Sequence, residues 1–367
     1  MTRLGLVTAF AASFLSFAVA PAQSADVATQ DDTARYLAGM SPSESSPLVA
    51  LTKSRNWQDH AKAMDRAFAT VEKSPLAPIR EWSRANLKSP QPAMFYMFSG
   101  PDFLFADAFF PNAMTYVLAA LEPAGEIPDL MKMQDRGVIY GLGHLENSMR
   151  TLLSLSFFIT REMRVNIGDS ALRGTIQILY IFLARSGKHI VDTSLVYIND
   201  EGGVRPEEKK SKSSAHGVKI AFAGADGRAR TLYYFTTNIA NEDVKHGGFL
   251  KFLDKLGPAD SFHKSASYLM HSNHFSHVRD FIVSHSATVV QDDSGIPIRF
   301  FDQKKWALHP YGNYLEPLSI FPEGRQPQAR ELFKHAGKLD FGIGYRWRPG
   351  ESNLLLAVKR APVDAAR

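Results

Sequence analysis

A layered α/β protein, with a mixed and largely buried sheet covered by helices, is predicted from three features of this chain. The run Met94–Phe98 (MFYMF) is apolar throughout and bounded by Pro92 and Ser99-Gly100-Pro101, as suits a strand buried on both faces. A short aromatic stretch, Phe103–Phe110, and a second apolar run, Met114–Leu121, follow in the rhythm of a βαβ unit. Further on, TLLSLSFFIT and TIQILYIFLA are apolar runs of core-helix length, well short of the ~20 residues that cross a bilayer.

The chain opens Met1-Thr2-Arg3, then LGLVTAFAASFLSFAVA, then small residues around Ala20-Pro21-Ala22 and Ala25. One basic residue, an apolar block and an Ala-x-Ala match have the layout of a secretory leader, expected over residues 1–25. Export to the periplasm or beyond follows, with no integral span once the leader is cleaved. The chain contains no cysteine, which removes disulfides, thiolate metal sites, iron–sulfur ligation and every Cys nucleophile. At 367 residues it is long enough to be held by its core alone. The net charge of +5 is mild, and the one dense basic run, Lys209-Lys210-Ser211-Lys212, sits in a loop. That loop lacks the clustered basic face that nucleic-acid binding requires.

Residues 26–90 read as a helical cover. Trp57, Ala61, Met64, Phe68 and Val71 recur at helical steps over Asn56–Val71, and Ile79–Leu87 continues after Pro75 and Pro78. Residues 91–360 form the α/β body, and residues 361–367 a loose tail. Two long helices are expected over Asn147–Met163 and Thr175–Ala184, a strand over Ile190–Ile198, and a loop over Asn199–Ala215. A hairpin then joins Val218–Phe222 to Arg230–Phe235 through Gly224-Ala225-Asp226-Gly227. MFYMFSGPD and LYYFTTNIA echo each other, which raises two related halves as an expectation. Phe249–Leu256 and Gln328–His335 read as helices, Trp306–Phe321 as an irregular surface loop. Phe341–Trp347 and Asn353–Val358 read as a closing hairpin.

Functional groups concentrate in Ser261–Phe301, which holds five of the twelve histidines: His263, His271, His274, His277 and His285. Ser272 or Asn273 caps a helix over His274–Ser284, with Phe275, Val278, Phe281 and Ile282 on its apolar face. Extended back to His271, such a helix would spread His271, His274 and His277 over about 120°. A metal on an adjacent pair is sterically allowed, but packing and hydrogen bonding around a polar groove are favoured over it. Lys264-Ser265-Ala266-Ser267-Tyr268 brings an amine, two hydroxyls and a phenol together. A Ser–Lys hydrolase would need amine and hydroxyl within reach, and adjacent residues ordinarily point apart. Ala287–Gln291 reads as a strand that turns at Asp292-Asp293-Ser294-Gly295 into Ile296–Phe301. An Asp there would orient a histidine or act as base.

The candidate catalytic groups are therefore Ser99, Asp102, Ser267, His271, His274 and Asp292. Candidate binding groups are Lys264, Tyr268, His277, Asp293, Arg299 and Asn238. Ser99, Asp102 and Glu122 sit at strand ends, where open α/β sheets place ligands. Walker and dinucleotide-binding loops are missing. Three functions remain. The first is an exported hydrolase or transferase acting on an envelope or nutrient substrate. The second is a non-catalytic binding protein for a polar small molecule or glycan, and the third a structural protein of the envelope.

Overall fold

The computed structural model describes residues 29–168, 171–207, 213 and 215–361. The expected leader, the Lys209–Lys212 run and residues 362–367 lie outside the described residues.

Three cover helices come first: α1 (Gln30–Leu37), α2 (Arg55–Val71) and α3 (Ala77–Asn86). Thr29 and Ser54 cap α1 and α2 by accepting from Asp32 N and Trp57 N. The βαβ unit follows as β1 (Ala93–Met97), α4 (Phe103–Phe109) and β2 (Thr115–Ala120), with β1 and β2 parallel. Next are α5 (Asp135–Leu155), α6 (Thr160–Gly168) and α7 (Ile176–Arg185). Strands β3 (His189–Ile198), β4 (Val204–Pro206), β5 (His216–Ala223) and β6 (Ala229–Thr236) form an antiparallel flank. The chain continues through α8 (Asn241–Val244), α9 (Phe249–Lys255), β7 (Ala259–His263), α10 (Ser276–His285) and β8 (Ser286–Gln291). It ends with β9 (Trp306–Gly312), α11 (Pro327–Leu332) and β10 (Asn353–Lys359).

Among the described residues, ten strands join one sheet in the order β4-β3-β5-β6-β2-β1-β7-β8-β10-β9. The centre, β6 to β8, is parallel, and both flanks are antiparallel. Period-two alternation sends Met94 and Tyr96 of β1 into one apolar layer and Ala93, Phe95 and Met97 into the other. The first layer is built with α1–α7, the second with α8–α11. The expected layered α/β architecture is therefore present. No described helix is long and apolar enough to cross a membrane.

Several local readings change. The helix expected over Asn147–Met163 is two helices, because Ser156 takes the left-handed conformation (φ 63°) and ends α5. The segment Trp306–Phe321 begins as edge strand β9, where Pro310 is tolerated because an edge strand leaves backbone groups unpaired. The closing hairpin is not formed: β10 inserts between β8 and β9, and Phe341–Trp347 contributes only the isolated bridge Ile343–Arg346. After Asp292–Gly295 the chain makes a 3-10 turn, Ile298–Phe300, rather than an extended strand. The helix expected over His274–Ser284 starts as a separate 3-10 turn, Asn273–Phe275, capped by Ser272, whose hydroxyl accepts from His274 N.

Candidate functional site

Strands β1 and β7 are neighbours whose onward connections diverge. From β1 the chain passes through α4 in the first layer to β2. From β7 it passes through α10 in the second layer to β8 on the other side. Loops therefore separate above the carboxyl ends of β1 and β7, and a crevice opens there by topology alone. The groups at its walls are Tyr96, Ser99 and Asp102 from β1, Lys264 and Ser265 from β7, and Tyr345 from the C-terminal segment.

A buried clasp holds this crevice together. Asp102 is the N-cap of α4 and accepts from Phe105 N at 3.2 Å. Its Oδ2 accepts from the Tyr96 hydroxyl at 3.0 Å and lies 2.9 Å from Lys264 Nζ. Lys264 also donates to the Ser156 carbonyl and sits 4.2 Å from the centre of the Phe105 ring. Burial, then the Asp102 charge, push the Tyr96 phenol well above its ordinary range, so it stays a donor. Four described non-glycine residues have positive φ, and three of them surround this clasp: Phe98 (60°), Ser156 (63°) and Ser265 (59°). Each such conformation costs on the order of 1–3 kcal/mol, and such strain concentrates at functional sites.

The strain at Ser265 has a geometric consequence. A strand would aim Lys264 and Ser265 to opposite faces, but the left-handed turn breaks that alternation and both line the crevice. Ser265 N donates to Asp292 Oδ2 at 3.1 Å, while its hydroxyl is buried without a protein partner. Asp292 Oδ1 accepts from Ser294 N at 2.9 Å and from the Ser294 hydroxyl. Gly344 (φ 66°) closes over both groups: a Cβ there would collide with Asp292 Oδ2 and come within 3.5 Å of Ser265 Oγ. Burial first, then the neighbouring Asp293 charge, push the Asp292 carboxyl up to about 7. Burial also raises Asp293, which accepts from Tyr268 OH and from Asn353 Nδ2 at 3.1 Å. The same burial, with the Asp292 charge, takes the Tyr345 phenol to about 12.

The residues singled out from sequence divide clearly. Ser99, Asp102 and Lys264 line the crevice, while Asp292 lies behind it, joined to it through the Ser265 amide, with Asp293 and Tyr268 further back. Ser99 Oγ donates to the Gly100 carbonyl at 2.7 Å. Ser267 is fully buried and donates to the Lys264 carbonyl at 3.3 Å, so Ser265 takes the crevice position instead. His271 is buried against Tyr268, with burial lowering its pKa to about 4. His274 and His277 are exposed, on the 3-10 turn and on α10. The three histidines are therefore not gathered. Among the described residues no group of three or more His, Cys, Asp or Glu side chains is placed to hold a metal. Arg299 is exposed and lies over Phe300, and Asn238 is exposed and donates to Asp243 at 2.6 Å. Both sit apart from the clasp, although Asn238 borders the neighbouring cleft.

Sequence reasoning did not single out Tyr96, Ser156, Gly344 or Tyr345, and it named Ser265 only as an alternative to Ser267. The one legible signal was Ser156 interrupting an apolar run.

His263 ends β7 fully buried, and neither ring nitrogen has a protein partner. Burial lowers its pKa from 6.5 to about 3. A depressed folded pKa gives stability that is present above pH 6.5 and lost as pH falls through the folded value. His263→Leu is therefore expected to lose less stability than the parent between pH 7 and about pH 4.5, by on the order of 2 kcal/mol. Urea unfolding at the two pH values measures this, and equal losses in the two proteins would contradict it.

Two cavities meet at this end of the sheet. The polar crevice has a volume of about 50 Å³. Beside it, above the ends of β2 and β6, lies an apolar cleft of about 230 Å³. Phe98, Gly100 and Ala266 border both. No protein-family model matches the chain, and no curated protein matches it.

Proposed function

We propose that the protein is a hydrolase or acyl transferase in which Ser265 is the nucleophile and Asp292 the general base. The observation that carries this reading is the Ser265 hydroxyl, buried, unpartnered and held at φ 59° on the crevice, with the Asp292 carboxyl bonded to the backbone amide of the same residue. A base is most effective when its pKa lies near the working pH, and Asp292 stands at about 7. In this scheme Ser265 Oγ attacks a substrate carbonyl carbon as its proton passes to Asp292. The carbonyl oxygen becomes an oxyanion in a crevice that carries the Lys264 ammonium, a positive charge fixed before the reaction starts. The leaving alcohol departs with that proton, and water or a second alcohol then releases the acyl group from Ser265. Asp102 and Tyr96 hold Lys264 in place and touch no reacting atom.

The leader read over residues 1–25 would place this activity outside the cytoplasm, on an envelope or nutrient ester. N-terminal sequencing of the exported protein is expected to begin near residue 23 or 26, and an intact Met1 would contradict the export assignment.

The chemistry is tested with a fluorophosphonate, which phosphonylates activated serines and releases fluoride. Mass spectrometry of the labelled protein is expected to locate the adduct on Ser265, and Ser265→Ala should remain unlabelled. The same variant should lose turnover of p-nitrophenyl esters by about a thousandfold or more. No adduct together with no turnover would leave a binding protein, the reading in which this pocket holds its ligand unchanged.

A further inference from the structure

The apolar cleft beside the crevice has no role in the chemistry proposed above. It is open and lined mostly by carbon, and it shares a wall with the crevice rather than merely lying nearby. Phe98 makes that wall: its positive φ turns the ring away from the strand alternation and onto Phe275, with ring centres 5.4 Å apart. Ala119 and Ala120 of β2 leave the floor low, because neither side chain extends beyond its Cβ. At the margin Leu121 and Leu269 remain 59% and 46% exposed. Large apolar side chains left in water around a concavity mark a surface that an apolar ligand covers. The cleft runs from the end of β1 across β2 to β6, two inter-strand spacings or roughly 10 Å.

We infer that this cleft is an acyl-chain subsite, and that it selects esters of medium-length, unbranched fatty acids whose carbonyl lies in the adjoining crevice. The inference names the substrate class of the activity proposed for Ser265 and rests on that reading for the position of the carbonyl. The occupant is an alkyl chain rather than a sugar. The floor and margin are mostly carbon; the polar lining residues are Glu122, which follows β2 and is itself buried, and Thr237 and Asn238 at the far β6 end, where a longer chain would stop.

Two measurements test it. The first compares kcat/KM for p-nitrophenyl acetate, octanoate and palmitate. Burial of each additional methylene is worth about fourfold, so octanoate should exceed acetate by tenfold or more and palmitate should fall back. Ala120→Phe, which fills the floor, should bring the octanoate-to-acetate ratio towards one. The second measurement needs no turnover: octanoate should raise the melting temperature of Ser265→Ala where acetate does not, and Ala120→Phe should abolish the shift. Octanoate binding without any adduct on Ser265 would uphold the cleft and overturn the catalytic reading. An adduct on Ser265, with octanoate no better than acetate in either measurement, would uphold the catalysis and overturn the acyl subsite.

Discussion

Lys264→Met is expected to destabilise the protein by about 3–5 kcal/mol, the range for removing one partner of a buried ion pair. The side chains of Lys264 and Asp102 are 2% and 1% exposed, so water cannot take over when one of them is lost. Methionine fills most of the volume, and what remains is an Asp102 carboxylate facing only Tyr96 OH and Phe105 N. The Ser156 carbonyl loses its donor at the same time. Asp102→Asn should cost a similar amount through the unpaired ammonium, since asparagine still caps α4. The double variant removes both charges and should be more stable than the two single losses combined would imply, by about 2 kcal/mol or more. Urea titration of the four proteins gives the coupling directly. Additive losses would mean that the two side chains stabilise the fold separately and that the clasp is not a unit.

That clasp explains why the crevice exists at all. Asp102 follows β1, Lys264 follows β7 and Ser156 ends α5, so three segments distant in sequence are tied at one point. The ties compensate for left-handed backbone at Phe98, Ser156 and Ser265, which no local preference of Phe or Ser would choose. Conformations of that kind persist only where the surroundings over-determine them.

MFYMF and MTYVLAAL were readable as buried strands because both faces of β1 and β2 meet apolar layers, and nothing interrupts the pattern. Their carboxyl ends therefore named Ser99 and Asp102 correctly as strand-end residues. The strand β7 was not legible, although it forms the other wall. Its sequence, ADSFH, places Asp260, Ser261 and His263 in the middle of a sheet, and polar groups there read as a loop. The fold accommodates two of them through tertiary partners: Asp260 accepts from Gln91 N at 2.7 Å, and Ser261 bonds Ser286 at 2.7 Å. Those partners lie far away or on the next strand, beyond any local window. The histidine cluster misled for the converse reason. Five histidines close in sequence are separated by two 3-10 segments and a helix, which bury His263 and His271 and leave His274 and His277 in water. His285 stacks on Phe281 and pairs with Asp254 at 3.0 Å. Choosing Ser265 over Ser267 depends on one φ angle, and a serine carries no sign of its φ.

Asp292→Asn is expected to lower kcat by about a hundred- to ten-thousand-fold, the usual contribution of a positioned general base. The parent's kcat/KM should rise with pH through about 7 and then level, because only the ionised carboxyl accepts a proton. In the Asn variant that limb should vanish. Asp293→Asn should keep the limb and move it to lower pH, since the Asp293 charge is one of the two causes that raise Asp292. Stability runs the opposite way over the same window. A carboxyl whose folded pKa is raised stabilises fully below its unfolded value of 3.8, and that contribution is lost as pH climbs through about 7. The parent therefore gains activity across the interval in which Asp292 ceases to stabilise it. Asp292→Asn should be less sensitive to pH in stability between those limits while losing its turnover. A variant that kept parental turnover would remove Asp292 from the chemistry. A parental profile flat from pH 5 to pH 8 would place the base elsewhere. If both expectations hold, the burial that makes this carboxyl costly to ionise is the same burial that sets it near neutral pH as a base beside Ser265.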